Sequence, residues 1–452
     1  MTAAEEQGAG GPRDEQTRRA RRAVEAVWRI ESPRLVAGLV RLVHDIDLAE
    51  ELAQDALVAA LEQWPRDGVP RNPGAWLMTT AKRRGIDLIR RNEVFARKLR
   101  LLGHELEIAQ GAAVFDEPAG TAGAEGGIED DLLRLVFVAC HPVLSREARL
   151  ALTLRLLGGL TTDEIARAFL TAEPTVAQRI VRAKRTLAKE KVPFEVPRGA
   201  ELAQRLASVL EVVYLIFNEG YSATAGEDWM RPGLCEDALR LARVLQGLLP
   251  AEPEVHGLAA LLEVQASRAA ARVGPDGGPV TLLEQDRRRW DLLLIHRGFA
   301  ALARADAAAR ARGAAPGPYA LQAAIAACHA RAVRAEDTDW GRIAELYRAL
   351  AAVAPSPVVE LNRAVAVGMA EGPAAGLAVV DRVAASGALD GYHLLPSVRG
   401  DLLARLGRAA EARAEFARAA GLTRNGAERA LLLRRLAEVA GAGGGGGGGA
   451  GG

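Results

Sequence analysis

Residues 161–187, "TTDEIARAFLTAEPTVAQRIVRAKRTL", read as two short helices meeting at a corner, the second carrying arginines along one side. Thr161 followed by Glu164 forms a T-x-x-E capping box, in which hydroxyl and carboxylate each accept a backbone N–H at a helix start. Gly158 and Gly159 stop the helix before it. Residues 170–172 turn the chain, and Pro174 sits in the first turn of the next helix, where a missing N–H costs little. In that helix Val176, Ile180, Ala183 and Leu187 align on one side, while Thr175, Gln178, Arg179, Arg182 and Arg185 populate the other. The order predicts a helix-turn-helix. A helix of this width fits the DNA major groove, where an Arg–guanine or Gln–adenine pair is worth about 1–3 kcal/mol of discrimination. Lys184, Lys189 and Lys191 stand where phosphate contacts are expected, and residues 173–191 carry six basic and two acidic side chains. The competing reading is an amphipathic helix pair with an ordinary charged surface.

The whole chain carries no such bias. Across 452 residues, 58 Lys and Arg stand against 57 Asp and Glu, so any nucleic-acid contact must come from local patches. The length suits two to four domains, each with its own core. Cys140, Cys235 and Cys328 form neither a CxxC nor a Cys/His spacing, so disulfides and structural zinc are not expected and a reducing compartment is. The first residues hold no apolar signal core, and no stretch reaches about eighteen uncharged apolar residues. A cytoplasmic protein with no membrane association is the expectation. Aromatics are only 4 % of the chain, and Ala, Leu, Arg and Glu dominate, which predicts an all-α fold.

Working outward, residues 1–19 read as a disordered tail and 20–102 as a helical bundle. Within it Leu48, Leu52, Ala56 and Ala59 form one apolar row and Ala53, Leu57, Ala60 and Trp64 the next, opposite an acidic face that includes Glu50, Glu51, Gln54 and Asp55. "WPRDGVPRNPG" (64–74) breaks this helix with three prolines. The following helix turns strongly basic: eight Lys and Arg against two acids over residues 82–100, including Lys82, Arg83, Arg84, Arg90 and Arg91. Residues 103–131 then carry eight acids and no Lys or Arg, an acidic linker. The helix-turn-helix unit spans 132–192, a helical middle domain 193–300, further helical hairpins 301–440, and a Gly-rich tail 441–452.

The order "AEELAQDALVAALEQW" (49–64), "PGAWLMTTAKRRGIDLIRR" (73–91), then the helix-turn-helix, resembles regions 2 and 4 of bacterial RNA polymerase sigma factors of the extracytoplasmic function (ECF, sigma-70) type. The resemblance covers residues 20–191. It implies a protein that directs core RNA polymerase to promoters, with no catalytic role and no cofactor or metal. It implies that Glu50, Glu51, Gln54 and Asp55 dock on the clamp helices of the polymerase's largest subunit. Lys82, Arg83, Arg84, Arg90 and Arg91 would engage the −10 element and hold its single strand, by phosphate attraction and base capture. Thr175, Gln178, Arg179, Arg182, Lys184 and Arg185 would bind the duplex −35 element. Trp76, beside Leu77 and Met78, is read as core, with base stacking as the alternative. The linker would thread toward the polymerase's basic channels, or serve only as a spacer. Two weak modules on one tether gain affinity only where both sites are correctly spaced. The chain departs from the family at the corner, with Leu170 where a small residue is usual, and in continuing some 260 residues past region 4.

"VVYLIFNEGYSATAGEDWMRPGLCEDALRLARVL" (212–245) and "LLEQDRRRWDLLLIHRG" (282–298) resemble the domain that follows region 4 in a long subgroup of sigma factors ending in tetratricopeptide-like helices. "LLARLGRAAEARAEFARAAGL" (402–422) fits half of such a unit: Gly407 at the turn, Ala412 and Ala419 at close-packing positions, Phe416 in the groove. "VVELNRAVAVGMAEGPAAGLAVVDRV" (358–383) repeats it, Gly376 aligning with Ala412. Asn218, Glu219, Tyr221, Asp228, His256, Asp286, Asp291 and His296 match no metal, nucleophile or phosphate-loop spacing. Tyr221, Trp229 and Trp290 read as packing residues, and His296 and His393 as hydrogen-bonded core residues. The extension is expected to regulate in cis, through an intramolecular contact with the sigma regions or through the polymerase. Three alternatives stand beside this reading: a helix-turn-helix regulator acting on operators without polymerase, a fused enzyme using the middle domain, and a scaffold.

Overall fold

A computed structural model of the chain describes residues 12–102, 124–169, 171–222, 230–275 and 278–444. Residues 103–123 of the acidic linker, Leu170, Asp228, Trp229 and the last eight glycine-rich residues lie outside the described residues, as do residues 1–11. Everything described is helical or irregular, with a lone bridge between Val273 and Pro279 standing for all extended pairing. Two compact units divide the chain, one of residues 1–167 and 171–212 and the other of residues 168–170 and 213–452, so that the main boundary falls within one helix at residues 212/213.

The first unit opens with a three-helix bundle, α1 (Pro12–Val43), α2 (Ile46–Asp67) and α3 (Pro73–Leu102). The helix α1 thus begins inside the stretch expected to lack structure. Asp45 caps α2 by accepting the Leu48 N–H at 2.9 Å, and Asn72 accepts the Ala75 N–H at 3.0 Å in the first turn of α3. The two apolar rows of α2 point inward: Leu52, Ala53, Ala56, Ala59, Ala60 and Trp64 are buried, with Leu35, Leu39 and Leu77 from the neighbouring helices. Alanine at four of those six α2 positions lets the helices approach closely, and each fully buried Leu contributes about 1.5–3 kcal/mol. Pro65 does not end α2, which runs on to Asp67; Gly68, at φ 82°, ends it.

Four more helices complete the unit's second half: α4 (Ala124–Ala139), α5 (Arg146–Leu156), α6 (Thr162–Ala168) and α7 (Glu173–Lys189). The start of α4 thus reaches back into the expected linker. Next comes α8 (Gly199–Tyr221), within which the chain passes from one unit to the other. Its first half seals the helix-turn-helix. Arg205, 4 % exposed, donates to the Phe137 carbonyl at 3.2 Å, and Ser208 donates to the Cys140 carbonyl at 2.7 Å. Arg149 meets Ser208 and lies 3.2 Å from Glu211. The open carbonyls at the end of α4 are thereby satisfied by residues beyond the expected limit at 192.

The second unit begins with α9 (Pro232–Leu248), α10 (Pro253–Ala266), α11 (Leu292–Ala311) and α12 (Pro318–Arg331). From α10, Glu254 accepts the Tyr319 and Ala320 N–H groups at 2.7 and 3.2 Å, capping α12 from outside. Burial pushes this carboxyl above the usual range against those two bonds. Six helices follow in series: α13 (Trp340–Val353), the hairpin of α14 (Pro357–Ala370) and α15 (Pro373–Ala385), the hairpin of α16 (Leu394–Arg405) and α17 (Ala409–Leu422), and α18 (Gly426–Gly444). The hairpin reading holds in detail. Ala412, Ala419 and Phe416 are at most 1 % exposed, and Gly407 turns the chain at φ 74°. Gly376 abuts Gly368 so closely that a Cβ would stand 2.7 Å from the Gly368 Cα. The helix α18 runs to Gly444, into the expected tail.

Candidate nucleic-acid and polymerase interface

The capping box forms as read: the Glu164 carboxylate accepts the Thr161 N–H at 2.7 Å, and the Thr161 hydroxyl accepts the Glu164 N–H at 3.1 Å. Before it Gly159 adopts φ 70°, and a Cβ on Gly158 would meet the Leu154 carbonyl oxygen at 2.4 Å. Val176, Ile180, Ala183 and Leu187 of α7 are buried. Opposite them Thr175, Gln178, Arg182 and Arg185 are exposed and Arg179 is half-buried. One helix face is thus committed to the core while the other presents a continuous row of hydrogen-bond donors and acceptors.

On α3, Lys82, Arg83, Arg84, Arg90 and Arg91 are all exposed, and Arg84 lies 3.0 Å from Asp55 of α2. Trp76 is half-buried and packs edge-on against the buried Trp64, ring centroids 5.6 Å apart. It belongs to the bundle's edge. Glu51, Gln54 and Asp55 are exposed along α2.

Glu50 and Lys184 depart from the expected placement. Rather than facing two different partners, they face each other. Glu50 accepts from the Arg155 Nε at 2.9 Å and from the Lys184 ammonium, which also reaches Asp47 at 2.6 Å. Both side chains are nearly buried, 12 % and 11 % exposed. Burial opposes the charge on Lys184, but Glu50 and Asp47 outweigh it and hold its pKa above the ordinary lysine value. Arg41 and Asp131 add a pair at 3.5 Å between α1 and α4. Asp47, Arg155 and Asp131 were missed by sequence reasoning. Their partners lie up to 137 positions away, and no local pattern announces such a pairing.

Comparison with known proteins supplies the family. Residues 28–94 match the model of sigma-70 region 2, residues 134–187 that of sigma-70 region 4, and residues 205–306 that of a family of unknown function, DUF6596. The ECF RNA polymerase sigma factor SigK of Mycobacterium bovis (strain BCG / Pasteur 1173P2) is 32 % identical over 157 residues, 34 % of this chain and 77 % of that protein. The chain belongs to the ECF RNA polymerase sigma factors. As a sigma factor it directs RNA polymerase to promoters, and its family is not an enzyme family. This sigma factor is also 46 % identical over 410 residues to the uncharacterized protein R00370 of Rhizobium meliloti (strain 1021), covering 90 % of this chain and 94 % of that one. Its second unit is therefore shared with a relative of nearly equal extent. Among solved structures yeast Tom70 aligns over 95 % of the sigma factor and 85 % of its own chain, at 10 % identity and a TM-score of 0.29.

Several of the polar residues in the sigma factor's extension that match no site spacing have structural partners. Glu219 pairs with Arg231, Asp286 with Arg288 at 3.0 Å, and Asp291 caps α11 through the Leu294 N–H. His256 is fixed between Gln246 and the Pro250 carbonyl. His393 lies 3.0 Å from Glu428, whereas His296, expected in the core, is exposed. The three cysteines are free and buried; burial pushes the Cys140 thiol up to about 11 and Cys235 up to about 12, so neither is a ready nucleophile. Among the described residues no cluster of three or more His, Cys, Asp or Glu could hold a metal ion, and no helix is long and apolar enough to cross a membrane.

Proposed function

We propose that this sigma factor reads its promoters through two surfaces: Lys82, Arg83, Arg84, Arg90 and Arg91 of α3 on the −10 element, and Thr175, Gln178, Arg179, Arg182 and Arg185 of α7 on the −35 element. The observation that carries this reading is the split face of α7, whose apolar positions are buried while its polar row stays open. The exposed cations of α3 suit a displaced single strand, where phosphate attraction dominates. Glu51, Gln54 and Asp55 form the accessible part of the polymerase-docking face on α2. Glu50 joins that face when Lys184 releases it, and Lys184 then becomes available to a phosphate. Action would be cytoplasmic, where polymerase and promoter DNA meet, and the second unit would regulate in cis rather than catalyse.

The test is transcription in vitro from the protein's own upstream region with core polymerase. Wild type should give a promoter-dependent start, and loss of the α7 polar row should abolish it while leaving polymerase binding intact. A variant with Arg90→Ala and Arg91→Ala should bind the duplex promoter but open it poorly, visible as lost permanganate reactivity around −10. Normal opening in that variant would remove α3 from the assignment.

A further inference from the structure

The helix α11 has one face in the core of the second unit and one in solvent, and the solvent face is apolar along its centre. Inward, Ile295, Gly298, Ala301, Leu302, Ala305 and Ala309 are buried, and Gly298 lies so close to α10 that a Cβ would stand 2.5 Å from a methyl carbon of Val264. That contact fixes which way the helix faces. Outward, Leu292 and Leu293 are 66 % and 59 % exposed, the two most exposed leucines among the described residues. Ala300, Ala303 and Ala307, all exposed, continue their line. Leu293, Ala300 and Ala307 recur every seven residues, and His296, Ala303 and Arg310 stand three places after each. This is the a and d spacing of a helix–helix seam, and alanine within such a seam lets a second helix approach closely.

Charge specifies which kind of helix. Arg297 and Arg304, also seven apart, run along one edge of the seam, and Arg310 lies at its far end. All three are exposed, and among the described residues none has an ion-pair or hydrogen-bond partner. On the other edge Arg331, from the end of α12, holds its guanidinium 5.2 Å from the centroid of the half-buried Phe299 ring. Asp306 is the only acid within α11. Arg312, just past the helix, is by contrast bound to Glu252 at 2.6 Å, as Arg334 is to Asp337 at 3.0 Å and Arg399 to Asp381 at 2.9 Å. Unpaired charges beside a seam select a partner by complementarity. A second copy of the chain would bring the same arginines against themselves, and nucleic acid would leave the two leucines uncovered.

We propose that the exposed face of α11 is the docking site for an amphipathic helix of another protein, apolar along its centre and carrying Asp or Glu on the edge that meets Arg297 and Arg304. Its apolar residues would cover Leu292 and Leu293, and its carboxylates would pair with the arginines. The extension thus has a protein partner of its own, whichever promoter bases the first unit reads.

The test titrates the full chain into a fluorescently labelled three-heptad peptide with leucine and alanine in its seam and glutamate on both edges, and into the same peptide with lysine in place of glutamate. The glutamate peptide should bind saturably, read by anisotropy, with a Kd of about 10–100 μM, and about tenfold or more tighter than the lysine peptide. Arg297→Glu combined with Arg304→Glu, both outside the core, should reverse that preference. Leu293→Ser should weaken the glutamate peptide about fivefold. No saturable binding, equal binding of the two peptides, or an unreversed preference in the charge-swapped protein overturns the proposal. It is equally overturned by a dimer in sedimentation that Leu293→Ser dissolves, which would give the face to a second copy. Loss of duplex DNA binding in the charge-swapped protein, with Leu293→Ser unaffected, would give it to nucleic acid instead.

Discussion

Gly257 in α10 faces the first turn of α12 so closely that a Cβ would stand 2.6 Å from the Ala320 nitrogen and 3.0 Å from its Cα. Backbone cannot swing aside as a side chain does. Gly257→Ala should therefore destabilise the second unit by about 1–3 kcal/mol, measured as a lower urea midpoint, despite alanine's better helix propensity. His329 sets a pH dependence at the same scale. Its folded pKa, about 3, lies below the ordinary 6.5, so between those values the unfolded chain takes up a proton that the native state refuses. Stability should fall as pH drops through that window, by about 2.7 kcal/mol at pH 4.5, at roughly 1.4 kcal/mol per pH unit. His329→Gln should remove that part of the slope, and identical acid profiles for variant and wild type would rule it out. Neither effect was legible in the sequence. Gly257 is one glycine among 47, and the groups that act on His329, Arg268 and Arg287, are more than forty positions away.

The elements show where local pattern suffices and where it stops. Thr161 and Glu164 announce α6 because a capping box is satisfied within one turn, and Gly407, Ala412 and Phe416 announce α17 because a helical hairpin packs mostly against itself. Helix ends were legible only to within several residues: α1 starts at Pro12, and α2 runs through Pro65, whose missing N–H did not stop the chain. The docking of α7 and α5 on α2 was not legible at all. Lys184 read equally well as a DNA contact and Arg155 carried no signal, and only the fold pairs both with Glu50. Glu50→Gln should leave two largely buried cations poorly compensated and lower the first unit's stability by about 2 kcal/mol, read as a lower thermal midpoint. Lys184→Met should act oppositely on function. By loosening Glu50 from α7 it should tighten binding to core polymerase about threefold to tenfold in a fluorescence titration. Weaker or unchanged binding would show that the pair does not compete with docking.

At the scale of the whole molecule, a chain of near-zero net charge places its basic surfaces on α3 and α7 and balances them elsewhere. A cut near residue 191, natural from sequence, would strip Arg205 and Ser208 from the carbonyls of Phe137 and Cys140 and damage the helix-turn-helix itself. Truncation after Tyr221 keeps α8 whole and is the better probe of the extension. If the second unit regulates in cis, that truncated protein should differ from full length by at least threefold in transcript yield. The central claim, that the open row of α7 selects the promoter, is tested most directly by one comparison in vitro: core polymerase with wild type or with Gln178→Ala and Arg182→Ala, on the protein's own upstream region. At about 1–3 kcal/mol per lost base contact, the account predicts at least a tenfold fall in specific transcript with unchanged polymerase binding. Equal transcript from both proteins would contradict it.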